Sequence, residues 1–146
     1  MHPFPHRYTV QAHCATAGNV TLRSAGIPDL ASNGPAEFDG PGDQWSPETL
    51  LCGAVADCFN LSFRAVAAAS KFTWTSLDCE VVGTLDRIER VSHFTRFDIR
   101  VRLQVPAGAD AARAQQLLEK SKAVCLISNS LKGEFHLTTE IVPAAA

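Results

Sequence analysis

Two cysteines, Cys58 and Cys125, lie in sequence settings that could divide a two-step redox reaction between them. Cys58 lies inside a long apolar segment, residues 50–59, and Cys125 lies where an alanine-rich amphipathic segment stops. A thiol does little packing that alanine or valine could not do, so its redox chemistry is what makes it worth noticing. The alternative is that both cysteines are small hydrophobic residues of the core.

The predicted helices give the two thiols different electrostatic surroundings. Cys125 lies near the C-terminal end of its predicted helix, where the partial negative charge disfavours a thiolate. Cys58 lies in the middle of its predicted helix, so it is the better nucleophile if an arginine or lysine reaches it. Cys125 is then better suited to attack the oxidised sulfur. The other three thiols are predicted to be core residues: Cys14, Cys52 and Cys79.

Glu48 is a third residue that could take part in this chemistry, but its distance from Cys58 raises a question. On one straight helix the two residues would lie about 15 Å apart along the axis. Glu48 could therefore act near Cys58 only if the helix breaks near Gly53, or if Glu48 serves the site of a second subunit. Otherwise Glu48 is simply an acid in the first turn, where it suits the helix dipole.

Composition and charge exclude several classes of function. The chain has 146 residues, 46% of them hydrophobic, with a formal net charge of −2 and no basic block. This composition argues against disorder and against nucleic-acid binding. The apolar segment at residues 50–69 is interrupted by Asp57, Asn60 and Arg64, so we expect no membrane span. The five histidines lack ligand spacing, so we expect no metal site.

The cysteine content and the N-terminus indicate a compartment. Five cysteines are an odd number in a chain that does not look like a disulfide scaffold. The first seven residues lack the apolar core of a signal peptide. Both features favour a reducing cytoplasm, in which the thiols are free or transiently oxidised.

Hydrophobic periodicity predicts a single α+β domain over residues 1–146. A hairpin of two strands, residues 8–14 and 20–24, precedes a long loop over residues 25–44. Ser46, Pro47 and Glu48 then begin a helix that extends to about Ser70. This helix is apolar almost all round, which predicts burial on nearly every side and a second copy of the chain as partner.

Alternation of apolar and polar residues predicts the second half of the chain. Residues 77–85 and 97–105 form two long antiparallel strands with one face exposed to solvent. Asp110 caps a second helix, and residues 135–141 form a last strand. The order of elements is strands, helix, strands, helix, strand, which is typical of an α+β fold.

Three segments of the chain resemble the OsmC/Ohr family. They are Trp-Ser-Pro-Glu-Thr-Leu-Leu through Asp-Cys-Phe at residues 45–59, Cys-Leu-Ile-Ser-Asn-Ser-Leu-Lys-Gly at residues 125–133, and Phe-Asp-Gly-Pro-Gly at residues 38–42. The resemblance implies the OsmC-like fold, with antiparallel sheets, a long buried central helix and an intertwined homodimer. It also implies a thiol peroxidase that prefers organic hydroperoxides and uses no metal or organic cofactor.

The resemblance also implies roles for the candidate site residues. Cys58 takes the place of the peroxidatic thiol and Cys125 that of the resolving thiol. Glu48 takes the place of the glutamate at the helix start, whose partner is an arginine that holds the thiolate. The two positions at which the family carries this arginine are occupied by Ala36-Glu37 and Gly18-Asn19.

The thiolate-stabilising cation must therefore come from another position in this chain. Arg23 is the nearest candidate in the first hairpin, and Arg7 and Arg64 are alternatives. A proline commonly follows the second cysteine in the family, whereas Leu126 stands there in this chain. The chain thus resembles an OsmC-like branch that departs from both family patterns.

The implied reaction begins with the Cys58 thiolate and an organic hydroperoxide. Cys58 becomes a sulfenic acid, Cys125 condenses with it to form a disulfide, and a dithiol restores both thiols, for which a lipoyl-type reductant is one family example. Phe59 and Phe63 are predicted to accept the alkyl tail. Two alternatives remain: a dimer that binds an apolar ligand while Cys58 is inert or senses oxidant, and a purely structural dimer.

Overall fold

The strands at the start of the chain form a small antiparallel sheet. A computed structural model describes residues 1–144, and their contacts define two units, Met1–Leu50 and the part that begins at Leu51. The first unit contains a sheet in the order β1-β2-β3: β1 (Gln11–His13), β2 (Val20–Arg23) and β3 (Leu30–Ser32). The predicted hairpin is present. That the whole chain forms a single domain stays a prediction.

The segment predicted as a long loop contains regular structure. β3 pairs with β2, and a single 3-10 turn follows at Ala36–Phe38. A three-residue strand is too short to show the alternation by which strands are recognised in a sequence. This is why the sequence pattern predicted only a loop.

The long helix α1 (Pro47–Ala69) begins where the sequence predicts. The Ser46 hydroxyl accepts a hydrogen bond from the Thr49 amide at 3.2 Å, and the Thr49 hydroxyl accepts one from the Ser46 amide at 2.9 Å. This reciprocal arrangement satisfies two donors that a helix start leaves without partners. Pro47, which has no amide hydrogen, occupies the first helical position without losing a bond.

Only one face of α1 is buried within the chain. The buried residues recur at helical spacing: Val55, Phe59, Phe63, Val66 and Ala67. Within the single chain only this face is covered, and Leu61 remains 51% exposed. That a second copy of the chain covers the other side stays a prediction. Length and a mean hydropathy of 1.4 would suffice for a membrane span, but a buried stripe within the hydrophobic core is the packing of a core helix.

The second sheet has the order β4-β5-β6, with strands β4 (Ser76–Ile88), β5 (Val91–Val105) and β6 (Glu134–Pro143). β4 and β5 pair antiparallel as predicted, whereas β6 is parallel to β5. The parallel pair follows from the crossover through α2 (Ala111–Val124) and α3 (Leu126–Asn129). The prediction of purely antiparallel sheets is therefore wrong for β6.

The core of the second unit is built from β5, α1 and α2. Alternate residues of β5 are buried, as the period-two pattern predicts: Phe97, Ile99, Val101, Leu103 and Val105. Asp110 caps α2 by accepting a hydrogen bond from the Arg113 amide at 3.0 Å. Ala114, Leu117 and Leu118 of α2 join the same cluster as Phe59 and Phe63 of α1.

Gly83 on β4 packs closely against Cys52 of α1 and Phe94 of β5. A Cβ at this position would lie 2.7 Å from Cys52 Sγ and 2.9 Å from Phe94 Cε1. We expect Gly83→Ala to lower the free energy of unfolding by about 1–3 kcal/mol, because the neighbours must move. Urea denaturation measures the loss. Cys52→Ala in the same chain should recover part of it, and equal stability of Gly83→Ala and the original chain would contradict this packing.

Candidate active site

Cys58 lies on α1 beside the buried face of that helix. Its side chain is half-buried, whereas the neighbouring Phe59 is completely buried. Its sulfur lies 3.9 Å from the hydroxyl oxygen of Ser62, one helical turn later. The thiol is therefore partly accessible while its own helix is anchored in the core.

Cys125 lies at the junction of two helices and is completely buried. α2 ends at Val124, and Cys125 is both the C-cap residue of α2 and the N-cap residue of α3. The Ser128 hydroxyl donates a hydrogen bond to Cys125 Sγ at 3.3 Å. The prediction that Cys125 sits at the negative end of one helix is thus incomplete, because the chain turns there and begins a second, short helix.

The structure brings the two predicted redox thiols together. Burial is the main reason that the pKa of Cys125 is raised above its ordinary value. Hydrogen bonding from the Ser128 hydroxyl and then from its amide lowers that pKa, while a hydrogen bond with the Cys58 thiol raises it. Cys58 therefore lies close enough to Cys125 to influence its ionisation, and such proximity is what disulfide formation between them requires.

A third thiol lies near this pair. Cys79 on β4 packs against the core, and burial, followed by the nearby Cys125, raises the pKa of Cys79 to about 12. Burial also raises the pKa of Cys52, which the Gly83 backbone partly opposes. The prediction that Cys14 is a core residue is wrong, because Cys14 is exposed at the end of β1. Sequence reasoning placed Cys79 in the core but missed its proximity to Cys125.

The raised pKa of Cys79 makes stability depend on pH in the alkaline range. The thiol ordinarily titrates at 9.0 and in the folded chain at about 12, so between these values the unfolded chain has lost a proton that the folded chain retains. The titration of Cys79 therefore leaves the free energy of unfolding unchanged below pH 9 and lowers it as the pH rises from 9 toward 12. Urea denaturation at several pH values should show a shallower fall in Cys79→Val. An identical pH dependence in both proteins would contradict the shift.

The structure places Glu48 in an unusual polar setting. α1 is continuous from Pro47 to Ala69, so the break near Gly53 that sequence reasoning considered is absent. One carboxylate oxygen of Glu48, Oε2, is shielded from solvent and has no hydrogen-bond partner among the described residues. A shielded carboxylate oxygen without a donor is costly, and a cation is the usual partner of such a group.

The candidate cation Arg23 already has an acidic partner within its own unit. Its Nε lies 2.9 Å from Asp29 Oδ2, and the two side chains are 58% and 54% exposed. An exposed pair of this kind is weak and exchanges partners at little cost. In the single chain Arg23 is therefore paired with Asp29, in an ion pair that a stronger partner could replace.

The two predicted pocket residues lie inside the core. Phe59 and Phe63 are both 0% exposed, and the ring of Phe63 meets that of Trp74 edge-on at 5.3 Å. Neither ring is therefore exposed to an alkyl chain in the single chain. Among the described residues, no three His, Cys, Asp or Glu side chains are grouped so that they could hold a metal ion.

Two serines that sequence reasoning did not assign contact the redox thiols. Ser62 follows Cys58 by four positions and Ser128 follows Cys125 by three. Side chains three or four positions apart on a helix are neighbours, so the spacing was the signal that could have identified them. A cavity of 780 Å³ opens beside Ser128, between α2 and β6, and Lys122 bonds the Phe135 carbonyl there at 2.9 Å.

Comparison with known proteins gives concordant matches in sequence and fold. The sequence model of the OsmC-like protein family matches residues 40–140. Peroxiredoxin OsmC of Escherichia coli (strain K12) is 30% identical over 96 residues, which cover 66% of this chain and 66% of that protein. The organic hydroperoxide resistance protein of Xanthomonas axonopodis pv. citri is 29% identical over 141 residues, or 92% and 95% of the two chains.

The fold is also found in a solved structure. An OsmC-like protein of unknown function from Vibrio cholerae superposes with a TM-score of 0.85 over 92% of this chain and 99% of that chain. Its sequence is 14% identical, so this likeness concerns the fold alone. Glu48, Cys58 and Cys125 all fall within the residues that the family model matches, whereas Arg23 does not.

Proposed function

The chain belongs to the OsmC-like protein family, and from this premise we propose that it is a cysteine-based peroxidase that reduces organic hydroperoxides. The observation that carries the proposal is the proximity of Cys58 to Cys125, which is close enough for the Cys58 thiol to raise the pKa of Cys125. Two relatives, named as a peroxiredoxin and an organic hydroperoxide resistance protein, support the choice of substrate class. The proposal includes a reducing, cytoplasmic location and no cofactor.

The proposed cycle has three steps. The Cys58 thiolate attacks an oxygen of the hydroperoxide, the O–O bond breaks, and the alkoxide leaves and takes a proton to become an alcohol. Cys125 attacks the sulfur of the resulting sulfenic acid, hydroxide leaves as water, and a disulfide forms. An external dithiol, such as a lipoyl-type compound, then reduces this disulfide by two exchanges and is itself oxidised.

Glu48 is proposed to hold the cation that stabilises the Cys58 thiolate. Because α1 is unbroken, the two residues of one chain are separated by about 15 Å along its axis, so Glu48 would serve Cys58 of a second copy. Oε2 of Glu48 is shielded from solvent and has no hydrogen-bond partner among the described residues, which supports the proposal that a cation binds to it. Arg23 is the proposed donor, since a guanidinium can bind a carboxylate with two parallel hydrogen bonds.

A homodimer is part of this proposal. α1 leaves an apolar side uncovered in the single chain, where Leu61 is 51% exposed and Ala65 and Ala68 are also exposed. Exposed apolar surface on a helix whose other face is anchored in the core is typical of an interface. A second copy offers the same surface in return, as a symmetric dimer requires.

The proposal is tested by following the oxidation of each cysteine. The reduced protein is treated with one equivalent of cumene hydroperoxide, and its free thiols are alkylated and mapped by mass spectrometry. We expect a Cys58–Cys125 disulfide and, with dihydrolipoamide in excess, continuous consumption of the hydroperoxide. Cys58 that stays reduced under excess hydroperoxide would show that the chain is not a peroxidase of this kind.

A panel of arginine variants tests the identity of the cation. Arg23→Ala should slow Cys58 oxidation, whereas Arg7→Ala and Arg64→Ala, which remove the two alternative candidates, should leave the rate close to that of the original chain. A slow rate in one of the other two variants reassigns the role. Equal rates in all three exclude every arginine that the sequence suggested.

The pairing of Arg23 with Asp29 favours a second candidate function. If Arg23 keeps this partner in the assembled protein, Cys58 has no cation from it, and the protein would bind an apolar ligand or sense oxidant through Cys58. A sensor is oxidised once per protein and does not turn over with a dithiol. Steady consumption of cumene hydroperoxide by the protein, with dihydrolipoamide as reductant, therefore indicates a peroxidase, and a single oxidation without turnover indicates a sensor.

A further inference from the structure

We propose that Ser128 is a positioning residue that holds the Cys125 sulfur in the orientation needed for disulfide formation. The Ser128 hydroxyl donates to Cys125 Sγ at 3.3 Å, and both side chains are buried, at 8% and 0% exposure. This inference rests on the proposed peroxidase function and extends it, because it concerns the second step of the cycle and a residue without an assigned role.

The choice of acceptor distinguishes Ser128 from two other serines in helices of the same unit, Ser121 and Ser130. Ser121 donates to the Leu117 carbonyl at 2.6 Å, and Ser130 donates to the Leu126 carbonyl at 2.7 Å. Both bonds return to the carbonyl four positions earlier, which is the common habit of a helical serine. Ser128 instead donates to a thiol three positions earlier, so its hydroxyl is directed at Cys125.

The environment of Cys125 explains why such a donor matters. The second step needs Cys125 as a thiolate, and burial opposes that charge. The nearby Cys58 thiol also opposes the charge, whereas Ser128 stabilises it. The hydrogen bond from the Ser128 hydroxyl also restrains the Cys125 side chain, whose thiol lies near Cys58. Ser128 thus acts through Cys125 and does not touch the hydroperoxide.

The test separates the two chemical steps in a single turnover. The reduced dimeric protein is mixed with one equivalent of cumene hydroperoxide and quenched at increasing times. Dimedone traps the Cys58 sulfenic acid, and mass spectrometry counts both the trapped form and the Cys58–Cys125 disulfide. We expect Ser128→Ala to form the sulfenic acid at the original rate and to close the disulfide about fivefold more slowly.

The pH profile of closure distinguishes positioning from a general structural effect. In Ser128→Ala the midpoint, which is the pH at which disulfide closure reaches half its maximal rate, should rise by about half a pH unit, because the Cys125 thiolate has lost a hydrogen-bond donor. Ser128→Thr keeps the hydroxyl and should restore both the rate and the midpoint. Ser121→Ala is the matched control, since it removes a buried serine hydroxyl that bonds a carbonyl.

Each other result has a definite meaning. Closure in Ser128→Ala at the original rate and midpoint overturns the proposal, and so does an equal loss in Ser121→Ala. If the unsubstituted protein forms sulfenic acid and disulfide, a negative result for Ser128 leaves the peroxidase function intact. Absence of any Cys58–Cys125 disulfide in the unsubstituted protein overturns the peroxidase function and, with it, the role of Ser128.

Discussion

Replacing Cys58 with serine is expected to lower hydroperoxide consumption by more than about a hundredfold. The serine hydroxyl does not ionise near neutral pH and is a poor nucleophile toward the O–O bond, so the first step has no substitute. The measurement is the loss of cumene hydroperoxide with dihydrolipoamide as donor, together with the loss of the dimedone-trapped sulfenic acid. The half-buried position of Cys58 should accommodate a serine without unfolding.

Two further cysteine variants make this prediction specific. Cys14 is exposed, so Cys14→Ser should consume hydroperoxide at the original rate. Cys125→Ser should still form the Cys58 sulfenic acid but should stop before the disulfide. If Cys58→Ser consumed hydroperoxide normally, the assignment of the peroxidatic thiol would be wrong and the remaining thiols would need to be examined.

Glu48→Gln is expected to slow the oxidation of Cys58 by about tenfold or more. Glutamine has nearly the same shape, but it lacks the negative charge that would hold a guanidinium beside the thiolate. The rate of sulfenic acid formation under a fixed concentration of cumene hydroperoxide measures this effect. Oε2 of Glu48 has no hydrogen-bond partner among residues 1–144, and this is the structural reason to expect that the charge, rather than the shape, is needed.

Asp57→Asn is the matched control for Glu48→Gln. Asp57 is an exposed acid on the same helix, immediately before Cys58. A general electrostatic effect of α1 acids would appear at least as strongly in Asp57→Asn, because this residue is the nearer of the two in sequence. Equal effects of the two substitutions, or no effect of either, would remove Glu48 from the proposed site.

Local signals in the sequence account for the parts of the fold that were predicted well. The Ser46-Pro47-Glu48 start of α1 depends on hydrogen bonds and dihedral preferences of adjacent residues, so it is readable without tertiary information. The alternation in β4 and β5 reports one buried face and one exposed face directly. Asp110 as the cap of α2 belongs to the same class of signal.

Other parts of the fold depend on contacts that no local pattern records. The alternation of β6 is the same whether the strand runs parallel or antiparallel to β5, so its direction was missed. β3 was too short to be recognised. The apolar pattern of α1 predicts burial on nearly every side, but it does not record which element or which copy of the chain covers each face.

The candidate site was only partly accessible from the residues themselves. Spacing and composition left Cys58 and Cys125 as either redox thiols or core residues, and the resemblance to the OsmC/Ohr family assigned their roles. Their proximity is a property of the folded unit, since α1 and the α2–α3 junction lie far apart in the chain. The cation was not predicted with the same clarity, because no arginine occupies a family position and the match begins after Arg23.

The contrast in accessibility between the paired sulfurs determines where chemical damage should accumulate. Cys125 has 0% exposure, whereas Cys58 is open enough to be reached by an oxidant. When hydroperoxide arrives faster than closure can proceed, a second oxygen is added to the sulfenic acid, and the sulfinic acid that results is not reversed by ordinary thiols. Overoxidised protein should therefore carry the sulfinic acid on Cys58 alone, while the buried Cys125 stays a free thiol that can no longer form the disulfide.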